Sequence, residues 1–594
     1  MDTNRLKKFA QAARRKLLEQ VKARVNYVLN SDTPELREKS NQVNDIRKEI
    51  KTYGEELFIR RIAYTWFNRF MALRFMDAND YTDVKVVSAI EGFTQPEILD
   101  DAKKGIIDEK LKVDRSYIAR LLTGKINITN PQNEAYKILL LESCHVYNKI
   151  MPFIFEKLND YTELLMPDDL LSEKSIIFDF MTLSSDDIAK VESIGWMYQF
   201  YISEKKDEVF EGLKKNIKVT PENIPAATQL FTPHWIVRYM VENSLGRLWM
   251  LNNPDSKLKD HMDYYIDPEE KETDFLKISS PEDLKICDPA CGSGHILVYA
   301  FDLLTKIYEE KFYEKKDIPR LILKNNLYGV EIDSRAGALS AFALTMKARE
   351  YDRRFFRRTV EPNICILKNV EFTDDEMSSY MSKVGEDLFN IDLRKTMLQF
   401  SETDNFGSLI IPSLKNPKET FENLKDRIPE GDLFMYPVHQ KVLTVIEQAN
   451  YLSQKYHCVI ANPPYMGGKG MNARLSTWAK SNYPDSKSDL FAMFIERNLL
   501  LAVKSGYTGM ITMQSWMFLS SYEKLRSSIL NNKTITSMAH LGARAFDSIG
   551  GEVVSTTSFV IQNSHSENYK GSYIRLVDGK NEAEKSAMFL EAIN

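Results

Sequence analysis

"LKICDPACGSGHILVYAFDLL", residues 284–304, decides how this chain is read. A short apolar run, 284–287, meets Asp288-Pro289-Ala290-Cys291-Gly292-Ser293-Gly294, and an amphipathic pattern starts directly afterwards. An apolar run that halts at glycines and resumes with helical spacing predicts a strand, a tight turn and a helix. Glycines at such a turn let a ligand approach the backbone closely, and the helix N-terminus favours negative groups. The spacing is not the three-glycine dinucleotide fingerprint, and an acid stands at the strand tip. Asp288 would repel a pyrophosphate and attract a cation.

S-adenosylmethionine fits that preference, since it carries both a sulfonium and an ammonium. The next strand supplies a matching acid. "NLYGVEIDSRAGALSAFAL" ends its apolar run in Glu331, followed by Asp333. A carboxylate at this tip can accept hydrogen bonds from ribose hydroxyls, and Glu331 is the candidate because it directly follows "LYGV". Asp333 is expected to cap the following helix, with Ser334 as the rival cap. Upstream, "ATQLFTPHWIVRYMVENSL" opens an amphipathic helix, with Thr232 expected at the N-cap and Pro233 at the first helical position.

Outward from these turns, strand-like runs alternate with helical segments from about residue 221: "LKICDPA", "NLYGVEI", "NICIL", "GSLIIP", "YHCVIA", "GYTGMITM", "ITSMAHLG" and "TTSFVIQ". The alternation predicts an α/β, Rossmann-like, mostly parallel sheet with helices on both faces. A polar, acidic stretch over 367–433 reads as an insertion. Residues 1–220 look all-helical, so the expected division is a helical domain over 1–220 and an α/β domain over 221–594. Leu6, Phe9, Ala13, Leu17, Val21 and Val25 mark one apolar face, and Trp66, Phe70, Leu73 and Met76 are expected core. Arg60, Arg61, Arg69 and Arg74 read as a solvated or ion-paired helix face rather than a phosphate grip.

Composition narrows the function class. The chain has 594 residues and a formal net charge of -5, which argues against coating nucleic acid by bulk charge. The N-terminus has no apolar signal region, and no run is long and apolar enough to span a membrane, so a cytoplasmic protein is expected. The cysteines, Cys144, Cys287, Cys291, Cys365 and Cys458, suit a reducing compartment, and their spacing points to no metal site.

"YHCVIANPPYMGGKG", 456–470, ends an apolar strand in Asn462-Pro463-Pro464-Tyr465 and continues as a glycine-rich loop. Paired prolines stop the strand and fix the backbone at that point. Taken in order, "FTP", "DPACGSG", "GVEID" and "NPPY" resemble the adenine-N6 group of DNA amino-methyltransferases. "DLFAMFIE", "GYTGMI" and "TTSFV" resemble that domain's later motifs. "RLKKFAQAARRKL", "YTWFNRFMALRFM", "GWMYQFYISEKKDEVFEG" and "DNFGSLIIP" resemble a narrower family, the PglX adenine-specific methyltransferases of BREX phage-resistance systems.

The resemblance implies a seven-stranded S-adenosylmethionine-dependent methyltransferase sheet acting on double-stranded DNA alongside other BREX proteins. It implies a cofactor site built from Thr232, Pro233, Asp288, Pro289, Ala290, Cys291, Gly292, Gly294, Glu331 and Asp404. It implies a catalytic Asn462-Pro463-Pro464-Tyr465. The Asn462 side-chain oxygen and the Pro463 carbonyl would accept the hydrogens of an adenine amine extruded from the duplex, and Tyr465 would stack on the base. Lys469 and Arg474 are the expected DNA contacts, on a loop whose glycines would let it close. Phe559 reads as core, and "REYDRRFFRR" (349–358) as a charged helix end.

Members of the family continue into a region that reads the DNA sequence. The expectation is therefore a truncated or split chain, or a separate recognition polypeptide. Two rival functions follow from the same residues: a cofactor-binding scaffold of a defence complex, and a protein glutamine-N5 methyltransferase, which also uses "NPPY".

Overall fold

The computed structural model describes residues 2–155, 161–269, 272–358, 360–384, 388–428, 431–547 and 554–594. Parts of the 367–433 stretch, 385–387 and 429–430, therefore lie outside the described residues. The chain forms two compact units, one of Met1–Glu204 with Ala341–Glu361, the other of Lys205–Ser340 with Pro362–Asn594.

The first unit is helical among its described residues. The helix Thr3–Asn30 buries Leu6, Ala13, Leu17, Val21 and Val25 on one face, as its spacing predicts. Phe9 is only half-buried and meets Phe180 edge-on. The helix Glu55–Ala78 is buried nearly all round, including Trp66, Phe70, Leu73 and Met76. Its arginines are structural. Arg74 donates to the carbonyls of Phe180 and Leu183, Arg69 lies over the Trp66 ring, and Arg60 pairs with Glu56.

The second unit carries an eight-stranded sheet in the order β3-β2-β1-β4-β5-β7-β6-β8. The strands are β1 (Ile286–Asp288), β2 (Leu327–Glu331), β3 (Asn363–Ile366), β4 (Tyr456–Ala461), β5 (Ala502–Met513), β6 (Thr534–Gly542), β7 (Thr556–Gln562) and β8 (Ser572–Arg575). Only β7 runs antiparallel to its neighbours. β1 pairs with β2 on one side and β4 on the other, so the tips carrying Asp288, Glu331 and Asn462 come from adjacent strands. The parallel order with one reversed strand near the edge is a Rossmann-like α/β sheet, as the strand–helix alternation predicts.

Two expectations about strands need correction. "GSLIIP" is not a strand. Gly407 takes φ +53°, and the carbonyls of Ser408 and Ile410 accept from the Arg497 guanidinium, while Leu409's accepts from the Tyr483 hydroxyl. Side chains therefore satisfy the backbone that a sheet neighbour would have satisfied. The sheet also has eight strands, not seven. β8 joins parallel to β6, and its alternating exposure leaves no apolar run to read in "SYIR".

The 367–433 stretch is more integral than its acidity suggests. Met377, Tyr380, Leu393, Met397 and Phe400 are buried in the same core cluster as Val330, Met510 and Phe559 of the sheet. Phe559 is itself fully buried against Trp516, a core aromatic as expected.

Candidate active site

The glycine turn is built by two conformations and two carboxylates. Gly292 and Gly294 take φ +54° and +86°, which side-chain-bearing residues rarely adopt. A Cβ at Gly294 would lie 2.5 Å from Ser340 Oγ, so this glycine lets the turn dock on the helix Ser334–Tyr351. A Cβ at Gly292 would meet nothing within 4 Å, so this glycine faces open space where a ligand can approach. Asp288, 1% exposed, accepts the Ala290 N–H at 3.1 Å. Burial pushes its carboxyl up to about 8, against the Ala290 hydrogen bond and aided by the nearby Glu331 charge.

Glu331 is more engaged than a free ribose acceptor. It accepts the N–H groups of Gly292 at 2.8 Å, and of Ile332 and Asp333 at 2.9 Å. Burial raises its carboxyl to about 7 despite these donors. One acceptor position remains on Oε2. Asp333 sits at the helix N-cap, as expected: its backbone oxygen accepts the Gly337 N–H, and its carboxylate accepts the Arg335 N–H and side chain. Cys291 is buried, with its N–H on the Val330 carbonyl, which ties the turn to β2.

At the tip of β4 the polar group is a neutral amide. Asn462 Nδ2 donates to the Leu230 carbonyl at 3.2 Å and to Thr232 Oγ1 at 3.0 Å. A carbonyl can only accept, so the NH2 must face it, and the amide oxygen faces the other way. That oxygen accepts the Tyr465 hydroxyl at 2.9 Å, and the same hydroxyl lies 3.1 Å from the Ile511 carbonyl. An amide oxygen has two lone pairs, so one acceptor position stays available.

This changes the roles of Thr232 and Tyr465. The helix starts at His234, with Pro233 at the cap, one residue later than the sequence suggests. Thr232, 4% exposed, does not cap it; its hydroxyl accepts from Asn462 instead. Tyr465 holds Asn462 by its hydroxyl and meets Phe491 edge-on at 6.2 Å, so it is anchored rather than freely presented.

The glycine-rich loop is likewise tied down. The Met466 N–H donates to Asp489 Oδ1 at 2.9 Å, the Gly468 N–H to the Ser488 carbonyl, and the Val219 N–H to the Gly470 carbonyl. Burial raises Asp489 to about 7. Lys469 stands exposed between these ties. Arg474 is already occupied: it pairs with Glu402 at 2.7 Å and lies over the Phe406 ring. Asp404 is half-buried, with its N–H on Asn369. Its segment reaches the glycine turn through Ser408, whose hydroxyl donates to the Pro289 carbonyl.

Sequence reasoning missed one link. The Phe231 ring stacks on His295 at 4.2 Å and 11°, which joins the "FTP" segment to the first residue of the helix His295–Glu310. Burial pushes His295 down to about 3, so the ring is neutral. The signal was present as "FTPH" and "GSGH", but nothing in either run says that they meet.

The sheet, the glycine turn and the "NPPY" tip together have the features expected of a methyltransferase. Family models agree: residues 325–546 match the Eco57I restriction-modification methylase, and 271–370 match the DNA-methyltransferase domain of MmeI. More narrowly, the chain is similar in sequence to two proteins that bear adenine-specific methyltransferase names. It is 43% identical over 574 residues to "Adenine-specific methyltransferase BrxX" of Escherichia coli O9:H4 (strain HS), covering 91% of this chain and 47% of that protein. It is 33% identical over 659 aligned positions to "Adenine-specific methyltransferase PglX" of Lacticaseibacillus casei (strain Zhang), covering 100% of this chain and 53% of that protein. The chain thus spans about half the length of these relatives. Among solved structures, the DrdV–DNA complex aligns with 87% of this chain and 44% of its own, at 11% identity and TM-score 0.43.

Proposed function

We propose that this chain forms the methyltransferase part of a site-specific DNA adenine-N6 methyltransferase, working with other BREX proteins against phage. Its substrate is an adenine extruded from double-stranded DNA, and its methyl donor is S-adenosylmethionine. The observation that carries the reading is the three-point hold on Asn462. Leu230, Thr232 and Tyr465 together leave the amide only an oxygen lone pair to offer a substrate. A site with a fixed neutral acceptor suits an amine whose lone pair is delocalised and must be aimed.

The residues present fit the donor. Asp288, buried, and Glu331, half-buried, are carboxylates beside an open glycine, and a cation relieves both their desolvation and their mutual repulsion. Asp288, Glu331, the 289–294 turn and Asp404 would hold it, and when bound it supplies an electrophilic methyl group. Asn462 Oδ1 and the Pro463 carbonyl accept the two amine hydrogens and keep the lone pair pointed at that methyl. Pro463 and Pro464 fix the backbone so that both acceptors are set before the substrate arrives. The amine proton leaves after transfer, so no strong base is required. The Tyr465 ring stacks on the base, which offsets part of the few kcal/mol that extrusion costs. Lys469 is the proposed phosphate contact. Arg474 reaches DNA only by leaving Glu402. The proposed division remains a helical domain over 1–220 and the methyltransferase domain over 221–594.

The test is adenine methylation of the genome by the full-length protein in its defence system, with and without Asn462→Ala. The modification should vanish in the variant. Unchanged methylation would falsify the reading. DNA and a translation release factor assayed in parallel separate it from glutamine methylation.

A further inference from the structure

The helical unit contains a cavity of about 340 Å³ that the proposed reaction does not use. Aliphatic side chains such as Val86, Ile98, Leu111 and Leu139 form its floor. Its rim is the basic–aromatic run singled out in the sequence: Arg349, Arg353, Arg354 and Arg357, with Phe356 between them. Arg349 is held in place, its guanidinium 4.7 Å from the Tyr81 ring centroid and 5.5 Å from that of Phe356. Tyr147, edge-on to Phe356 at 6.4 Å, completes an aromatic wall.

The charges at this rim do not cancel. Asp83 pairs with Lys110, Asp101 with Lys104, and Asp108 accepts the Lys110 N–H. Asp352, next to the arginines, is taken by Arg358. Arg353, Arg354 and Arg357 are exposed, and none forms an ion pair with a described residue. Arginine presents a planar fork of donors that matches phosphate, and its face stacks on rings. An apolar, ring-lined floor under uncompensated arginines asks for a flat ring that carries a phosphate. The volume sits at the low end of ligand pockets, roughly 300–1,000 Å³, so it admits one such unit rather than a length of duplex.

We propose that this cavity binds a single nucleotide, its base against the apolar floor and its phosphate on Arg353, Arg354 and Arg357. The same chemistry is offered by a free mononucleotide and by the 5′-phosphorylated end of a single strand. The inference does not depend on the proposed methyl-transfer reaction.

Equilibrium titration of the purified chain tests it, with excess S-adenosylhomocysteine present to fill any other nucleoside site. The probes are AMP, GMP, orthophosphate, and a short single-stranded oligonucleotide with and without a 5′-phosphate. A mononucleotide or the phosphorylated strand should bind saturably, and at least about tenfold more tightly than orthophosphate. Whichever of the two binds more tightly identifies the source. The double variant Arg353→Glu/Arg357→Glu should weaken binding at least about tenfold, since charge-assisted hydrogen bonds are lost. Its melting temperature should stay close to the parent's, because both side chains are exposed. Three results would each overturn the proposal: no saturation by any nucleotide probe, orthophosphate binding as tightly as AMP, or undiminished binding by a folded double variant.

Discussion

The tips of β1 and β4 are adjacent in the sheet, yet they handle polarity in opposite ways. At β1 and its other neighbour β2, backbone N–H groups hold a buried carboxyl, Asp288, and a half-buried one, Glu331; desolvation raises them to about 8 and 7. At β4 the polar group is an amide, held by a carbonyl and two hydroxyls, with no charge at stake. The first arrangement holds carboxyls whose charge a bound cation would offset. The second is satisfied already and only needs to be aimed. Binding and chemistry are therefore expected to fail separately when each tip is altered.

The largest expected effect comes from the neutral tip. Asn462→Ala removes a preorganised acceptor, and losses of that kind run to about 10²–10³-fold in kcat. Cofactor affinity should stay within about twofold. A coupled loss of cofactor affinity would break the division, and equilibrium binding beside a methyl-transfer assay reads both.

Next in size is the charged tip. Asp288→Asn keeps the shape and removes the charge, so cofactor affinity should fall roughly 10–100-fold, the range of a charge-assisted hydrogen bond. pH should mimic it. Asp288 is raised from 3.8 to about 8, so the folded chain without cofactor binds a proton that the unfolded chain has released. Between about pH 4 and 8 this makes the cofactor-free fold lose stability as pH rises, a slope that Asp288→Asn should flatten. A cationic ligand prefers the ionised pair, so affinity should climb between pH 6 and 8, with protons released on binding. Calorimetry in buffers of different ionisation enthalpy measures that release, and none would remove the electrostatic account of this tip.

How far these tips could be read in advance depends on the range of the interactions that build them. The strands, the glycine turn, Asp288, Glu331 and the Asp333 cap are visible because each is written in a few consecutive residues. "GSLIIP" misled because its apolar run is real, while the partners of its carbonyls, Tyr483 and Arg497, lie 74 and 89 residues away. β8 was missed because an edge strand of four residues needs no apolar face. Thr232 and Arg474 were read from local grammar, a helix cap and a loop cation. Their actual partners, Asn462 and Glu402, are set by the tertiary fold.

Thr232→Val tests that tertiary link with a smaller expected effect. One amide N–H loses its acceptor while the volume is kept. Roughly 1 kcal/mol of orientation is at stake, or about five- to tenfold in kcat. KM for the methyl donor should hardly change if Thr232 acts through Asn462. A change confined to KM would return Thr232 to the cofactor site, where the sequence had placed it.

Tyr465 divides the neutral tip once more. Its hydroxyl holds Asn462 Oδ1, and its ring is the proposed stacking surface. Tyr465→Phe removes only the hold. Leu230 and Thr232 still fix the amide, so kcat should fall no more than a fewfold and binding of extruded adenine should persist. Tyr465→Ala also removes the ring, worth roughly 1–3 kcal/mol of stacking, and should weaken DNA bearing an unpaired target adenine by about five- to a hundredfold. If the two variants behave alike, the ring does no stacking. Tyr465 would then belong wholly to the orientation of Asn462, and the base would need another surface.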